Sequence, residues 1–214
     1  MIRAQLRARA AKSGSYGHPH AGLYGNAAPA SVQTFTGLCE GTLAGLPGVT
    51  YRGSVASRVE QGKRIVLGRL ASGAAQDIER SIDSTGYVRS TLVSRADAFA
   101  NTDNNGLSHD RPGRVSMRRG GGNFEFVIAP AANPSLDADY VVIGQVLTEE
   151  EESADLLRAI NTVPVRRPKA ETAIYLAVAK AGGDPRTRVE TVYRPLVKVS
   201  IVDCSVKSAA ASPI

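Results

Sequence analysis

The sequence predicts a mainly β chain: a closed antiparallel barrel capped by helices, with an insertion in its middle and an extra helix before its last strand. Three observations predict it. Short segments of strand type recur from residue 2 to residue 203. Helical periodicity is confined to a few stretches at the ends of strands. No apolar run approaches the roughly 18 residues needed to span a bilayer. Many strands with few helices imply a sheet that closes on itself with helices over its ends. The chain has 214 residues, 43% apolar and 21% charged, enough to bury one core without reading as disordered. We take residues 1–207 as one domain, 71–105 as a divergent insertion within it, and 208–214 as a flexible tail.

The elements follow in order. Ile2, Ala4, Leu6 and Ala8 alternate with Arg3, Gln5, Arg7 and Arg9, a period of two that predicts a first strand. The same stretch is rich in Arg and Ala, and Glu40 is the first acidic residue, so its composition also fits the end of an organelle transit peptide. We favour the strand, which sets residue 1 inside a longer precursor. Turn residues from Lys12 to Gly17 then lead into a second strand ending near Tyr24. Pro29 suits a first helical turn, and Val32, Phe35, Leu38 and Cys39 follow at helical spacing, with Gly41 placed to end the helix.

Ile65, Val66 and Leu67 mark a strand over 64–70. The stretch from 71 to 102 is irregular: Ile78 and Ile82 suggest a short helix, and Tyr87, Leu92 and Val93 a further apolar piece. A polar loop spans 101–106. Strands return at 113–117, at 123–128 with Phe124, Phe126 and Ile128 on one face, and at 140–146. Gly120 to Gly122 reads as a tight turn between strands. A helix begins near Glu149, with Leu156, Leu157 and Ile160 on its apolar side and acids in its first turn, the right sign for the helix dipole. A further helix spans 172–181, and the last strand 196–203.

The formal net charge is +6 and the pI about 9.5. That balance favours acidic partners and does not choose among nucleic acid, an anionic membrane face and an acidic protein. Aromatics are only 5% and Trp is absent, which leaves few platforms for base stacking. We therefore expect protein partners and no nucleic acid. The densest basic steps, Arg118-Arg119 and Arg166-Arg167, read as a solvated rim or a docking patch. No phosphate-binding loop and no Gly-x-Ser-x-Gly elbow occurs. His18 and His20 could share a strand face, but no third metal ligand accompanies them, so no metal or cofactor is expected. Cys39 and Cys204 fit neither a zinc pattern nor a disulfide scaffold. We read them as two buried thiols, with pairing as the alternative.

A family resemblance emerges from the blocks taken together. Leu23 to Pro29, Phe35 to Gly41 and Tyr51 to Arg58 resemble the opening third of cyclophilins. His109 to Met117 resembles the strand after the family's histidine–proline–glycine turn. Phe124 to Ile128, Leu136-Asp137 and Val141 to Val146 are similar to its central strand, its leucine–aspartate turn and the strand that follows. Ile174 to Arg186 and Tyr193 to Cys204 are similar to divergent chloroplast members of plants and algae. The resemblance implies an eight-stranded barrel, a chloroplast location with the thylakoid lumen ahead of the stroma, and prolyl isomerisation.

The resemblance also implies which residues would act. Arg58 matches the catalytic arginine, which donates to the proline carbonyl and relieves nitrogen conjugation. Leu136 matches one wall of the proline pocket. Elsewhere the pattern departs: Lys63 and Arg64 replace a phenylalanine and a methionine, and Val66 a glutamine. Glu125 replaces a second glutamine, Val127 the pocket phenylalanine, Ser135 a tryptophan and Tyr140 a histidine. Arg118 and Arg119 replace an alanine–asparagine pair. We therefore take Arg58 as the one retained catalytic candidate, and Val66, Glu125, Val127, Leu136 and Tyr140 as remnants of the pocket. The expected role is a subunit or assembly factor of a plastid protein complex, soluble or membrane-peripheral. A weakly active isomerase is the alternative.

Overall fold

The computed structural model describes residues 2–10, 16–17, 20–70, 76–82, 84–95, 99–100, 102–121, 124–167 and 192–208. Its strands are β1 (Ile2–Ala10), β2 (Tyr16–Gly17), β3 (His20–Leu23), β4 (Arg58–Glu60), β5 (Arg64–Leu67), β6 (Gln76–Ile82), β7 (Val88–Ser94), β8 (Arg114–Arg118), β9 (Phe126–Ile128), β10 (Tyr140–Val146) and β11 (Val199–Ser208). Among the described residues two α-helices accompany them, α1 (Pro29–Glu40) and α2 (Glu151–Asn161). The main sheet runs β11-β1-β3-β10-β8-β9-β5-β4, with β2 beside β1. Its pairs are antiparallel throughout. The two ends of this path meet through Val55, which bridges both Arg69 and Ser200. The flanking bonds Ala56 N–H to Val199 O (2.9 Å) and Ile201 N–H to Ser54 O (3.0 Å) complete the junction. The predicted mainly β, helix-capped antiparallel architecture is thus present, and the first strand is a strand.

Helix α1 shows why its limits could be read in advance. Pro29 occupies its first turn and Gly41 ends it in the left-handed region at φ 73°, where glycine carries no Cβ penalty. No side chain of its own caps its start. Instead Asp103, near the end of the insertion, accepts from the Ser31 N–H at 2.7 Å. That bond satisfies an orphan donor and sets a negative charge at the positive end of the helix dipole.

Inside the barrel, Phe35, Tyr51 and Phe126 form an aromatic trio with ring centroids 5.1–5.4 Å apart. All three are fully buried. The Tyr51 hydroxyl donates to the Phe124 carbonyl at 2.6 Å. Burial, and then the Glu125 charge, push its phenol pKa up. Gly68 closes this region: at φ 83° a Cβ would meet Tyr51 Cε1 at 2.8 Å and Phe126 Cδ1 at 2.9 Å, so the aromatic contact and the turn both need glycine.

Two expectations are corrected. Residues 78 and 82 lie not on a helix but on β6, which pairs with β7 as a two-stranded hairpin. A spacing of four is even, so it keeps two residues on one strand face as well as on one helix face. Cys39 and Cys204 are not free thiols but a disulfide, S–S 2.04 Å, tying α1 to β11 across 165 residues of sequence. The helix expected at 172–181 lies outside the described residues. Among those described, no helix is long and apolar enough to cross a membrane.

The Cys39–Cys204 link closes a long loop, so it constrains the unfolded chain strongly; disulfides of this kind contribute about 2–4 kcal/mol. Reduction with dithiothreitol, or Cys39→Ala with Cys204→Ala, is expected to lower the unfolding free energy by that amount, and with it the urea midpoint, while leaving the far-ultraviolet circular dichroism of the folded state intact. An unchanged midpoint would show that the pair does not support the fold.

Candidate functional site

The register of the sheet puts the sequence candidates on one outer row. Arg58 lies opposite Val66, Val66 opposite Val127, Val127 opposite Ser116, and Ser116 opposite Val142. Residues directly opposite one another project to the same side of a sheet, so this row crosses β4, β5, β9, β8 and β10 on a single face. The neighbours of Val127, Phe126 and Ile128, belong to the main core. Val66, Val127 and Leu136 instead form a second apolar cluster, joined by Ala129 and with Tyr140 packed against it. Leu136 is delivered by a single 3-10 turn, Pro134–Leu136.

The structure therefore brings together four of the predicted pocket residues and adds Ala129, which sequence reasoning did not single out. Glu125 precedes β9 and is half-buried; it acts on Tyr51 electrostatically. Ser135 is exposed. The cluster is tight: Val127 and Ala129 are 0% exposed, Leu136 5% and Val66 8%.

Arg58 stands at the end of the row and is engaged. Its Nε lies 2.5 Å from Glu60 Oε1, and its guanidinium carbon sits 5.3 Å from the Tyr193 ring centroid, within cation–π range. Arg64 donates to the same Glu60 oxygen at 2.7 Å. Burial alone would push the Glu60 carboxyl up, but Arg64 and Arg58 together hold it below the usual carboxylate range. Arg119, at a position where the resemblance implies peptide contact, donates from Nε to the Asp137 carbonyl at 3.0 Å.

A polar chain that the sequence did not disclose meets the row at Ser116. His109 is fully buried. Its Nδ1 is 2.5 Å from Asp137 Oδ1 and its Nε2 3.0 Å from Ser116 Oγ. A carboxylate only accepts, so Nδ1 carries the proton it donates, and Nε2 accepts from the Ser116 hydroxyl. The order Ser–His–Asp matches that of hydrolytic triads. Ser116 is 0% exposed, however, so its hydroxyl does not reach a substrate, and the chain serves as a brace. Asp137 also accepts from the His109 N–H at 2.9 Å and from Ser108 Oγ, which ties the loop before β8 to the turn carrying Leu136. The one available signal was the triplet itself, at separations too irregular to read as a unit.

His20 is on β3, with Nδ1 2.7 Å from Glu150 Oε2; His18 lies outside the described residues. No group of three metal-ligating side chains occurs among the described residues.

The brace has a pH signature. Burial would raise the Asp137 carboxyl, but the bonds from Ser108 and His109 hold it below the ordinary value. A lowered folded value means its contribution is present above the unfolded pKa, about 3.9, and is lost as pH falls through the folded one. Asp137→Asn is expected to cost about 1–3 kcal/mol at neutral pH, the scale of hydrogen bonds to a charged group. The gap to wild type should narrow toward about pH 3 in urea titrations. A gap that does not change with pH would show that the charge is irrelevant.

The sequence itself is similar to that of known proteins. The family model "Cyclophilin type peptidyl-prolyl cis-trans isomerase/CLD" matches residues 11–180. The chain is 26% identical over 200 residues to "Peptidyl-prolyl cis-trans isomerase CYP28, chloroplastic" of Arabidopsis thaliana, covering 86% of this chain and 66% of that protein. It is 30% identical over 120 residues to "Peptidyl-prolyl cis-trans isomerase CYP8" of Saccharomyces cerevisiae, covering 51% of this chain and 39% of that protein. The chain thus spans less than two thirds of the length of either relative. With the family match extending over most of its residues, and the barrel and outer row as described, the chain belongs to the cyclophilin-type peptidyl-prolyl cis-trans isomerase family.

Proposed function

We propose that this cyclophilin works as a docking subunit or assembly factor in a chloroplast protein complex, with an isomerase site that has lost most of its activity. The observation that carries the reading is the state of the outer row: its apolar residues fill one another's space, and its arginine is held by Glu60 and Tyr193. Rotation about an X–Pro bond crosses about 18–20 kcal/mol, and catalysis requires binding the twisted amide better than the planar one. An arginine can do this only if its N–H groups are free to meet the substrate. Here a substrate carbonyl competes with the Glu60 carboxylate, which forms a close ion pair with Arg58. The ring socket is reduced as well. Valine at 127 leaves less aromatic wall, and Lys63 and Arg64 offer cations where apolar walls belong.

Docking has its own support. The tip of the β6–β7 hairpin holds Ile82, Tyr87 and Val88 at 63–74% exposure, an apolar patch of the kind that marks interaction surfaces. The chloroplast is proposed from the chloroplastic relative in Arabidopsis, and the thylakoid lumen ahead of the stroma by analogy with the divergent chloroplast branch. The Cys39–Cys204 pair suits a compartment that keeps thiols oxidised.

A second reading, a weakly active isomerase, is favoured by the register that sets Arg58 beside Val66 and Val127. A protease-free assay of a proline tetrapeptide separates the two. The expected result is a rate within about twofold of the uncatalysed one, unchanged by Arg58→Ala, because the arginine stabilises no transition state. Acceleration that Arg58→Ala abolishes would replace the first reading by the second.

A further inference from the structure

Beside Arg58 the structure holds a cleft of about 340 Å³ lined by Glu60, Gln61, Lys63, Val165, Arg167 and Tyr193. It lies against the edge strand β4 and is walled by segments far apart in sequence. The Val59 N–H donates to the Tyr193 carbonyl at 2.9 Å, which ties residue 193 to that edge. The Tyr193 N–H donates to Arg166 O at 2.8 Å, and the Arg166 N–H to Arg194 O at 2.9 Å. These bonds join the stretch after α2 to the stretch before β11.

Two features mark the cleft as more than a packing gap. Tyr193 sits at φ 62°, the sole non-glycine residue with positive φ among those described, a conformation that costs about 1–3 kcal/mol and that folds retain chiefly at functional positions. That backbone turns its ring both under the Arg58 guanidinium and into the cleft wall. Charge is the second feature. Lys63 and Arg167 are exposed at the lining, and Glu60, the one lining carboxylate among the described residues, is already shared by Arg58 and Arg64. Among the described residues the cleft therefore presents an excess of positive charge beside an aromatic and aliphatic wall from Tyr193 and Val165.

We infer that this cleft binds an acidic polypeptide segment of a partner protein, a glutamate or aspartate side chain meeting Lys63 and Arg167 while an adjacent apolar side chain lies on Tyr193 and Val165. The mixed wall decides for polypeptide over a small inorganic anion. A phosphate would need donors converging on one point, whereas here the cations flank an apolar surface and Glu60 stands among them. The inference names the partner chemistry for the docking role proposed above and rests on that role for its biological meaning. Binding itself does not depend on whether the outer row catalyses.

The test is fluorescence anisotropy on the full, oxidised chain. The probe is a labelled proline-free peptide carrying two glutamates and a leucine among serines and glycines, with a glutamine version as comparison. Because the probe has no proline, its failure to bind would count against the cleft alone, whereas failure of the isomerase reading shows only in the tetrapeptide assay. Expected is binding of the glutamate peptide, and weaker binding of the glutamine peptide by about tenfold. Lys63→Glu with Arg167→Glu should weaken the glutamate peptide by about tenfold or more, while Arg80→Glu with Lys207→Glu, an equal change in net charge on exposed residues outside the cleft, should stay within about twofold. Equal loss in both double variants would assign the attraction to the overall +6 charge and overturn the inference. So would indifference to glutamate against glutamine, or displacement of the peptide by inorganic phosphate well below millimolar concentration.

Discussion

Strand β9 is three residues long and lies between β5 and β8, and its register fixes both faces of the barrel at once. Phe126 and Ile128 turn inward, where Phe126 meets Phe35 and Tyr51. Val127, between them, turns outward onto Val66, Ala129 and Leu136. A slip of one residue would exchange the two faces. It would carry Phe126 out of the aromatic trio and uncover the close approach of Gly68 to Tyr51. The same alternation that builds the core therefore dictates what the outer row can offer a ligand.

On that row Val66, Val127 and Leu136 pack into one apolar cluster, and the Ser116–His109–Asp137 chain meets it at Ser116. Arg58 is fixed by Glu60 on its own strand and by Tyr193, which arrives from the other end of the chain. Tyr193 is thus shared between the arginine and the cationic cleft. The stretch that brings it there follows α2, past the strands that build the row.

Much of this was legible in the sequence. Pro29 and Gly41 bounded α1, the run 140–146 gave β10 its limits, and the motif resemblance singled out Val66, Val127 and Leu136, which lie in one apolar cluster. What failed or stayed hidden depended on contacts between distant residues or on ambiguous periods. Ile78 and Ile82 satisfy both helix and strand spacing, and only pairing with β7 decides. The Cys39–Cys204 disulfide joins positions 165 residues apart, and two cysteines carry no pattern that foretells it. His109, Ser116 and Asp137 look ordinary until β8 and the turn before β10 are brought together. Tyr193 could not be marked as strained, because nothing in residue type announces a positive φ for tyrosine.

Whether the outer row is closed to proline is the central point, and methyl NMR addresses it directly. Selectively labelled valine and leucine methyls of Val66, Val127 and Leu136 would be followed while a proline tetrapeptide is titrated to millimolar concentration. The structure predicts that these signals hold their positions, because no ring enters a patch whose atoms already occupy it. Saturable shifts at those three residues, with Arg58 Nε–H moving in step, would contradict it and return the row to a working proline site.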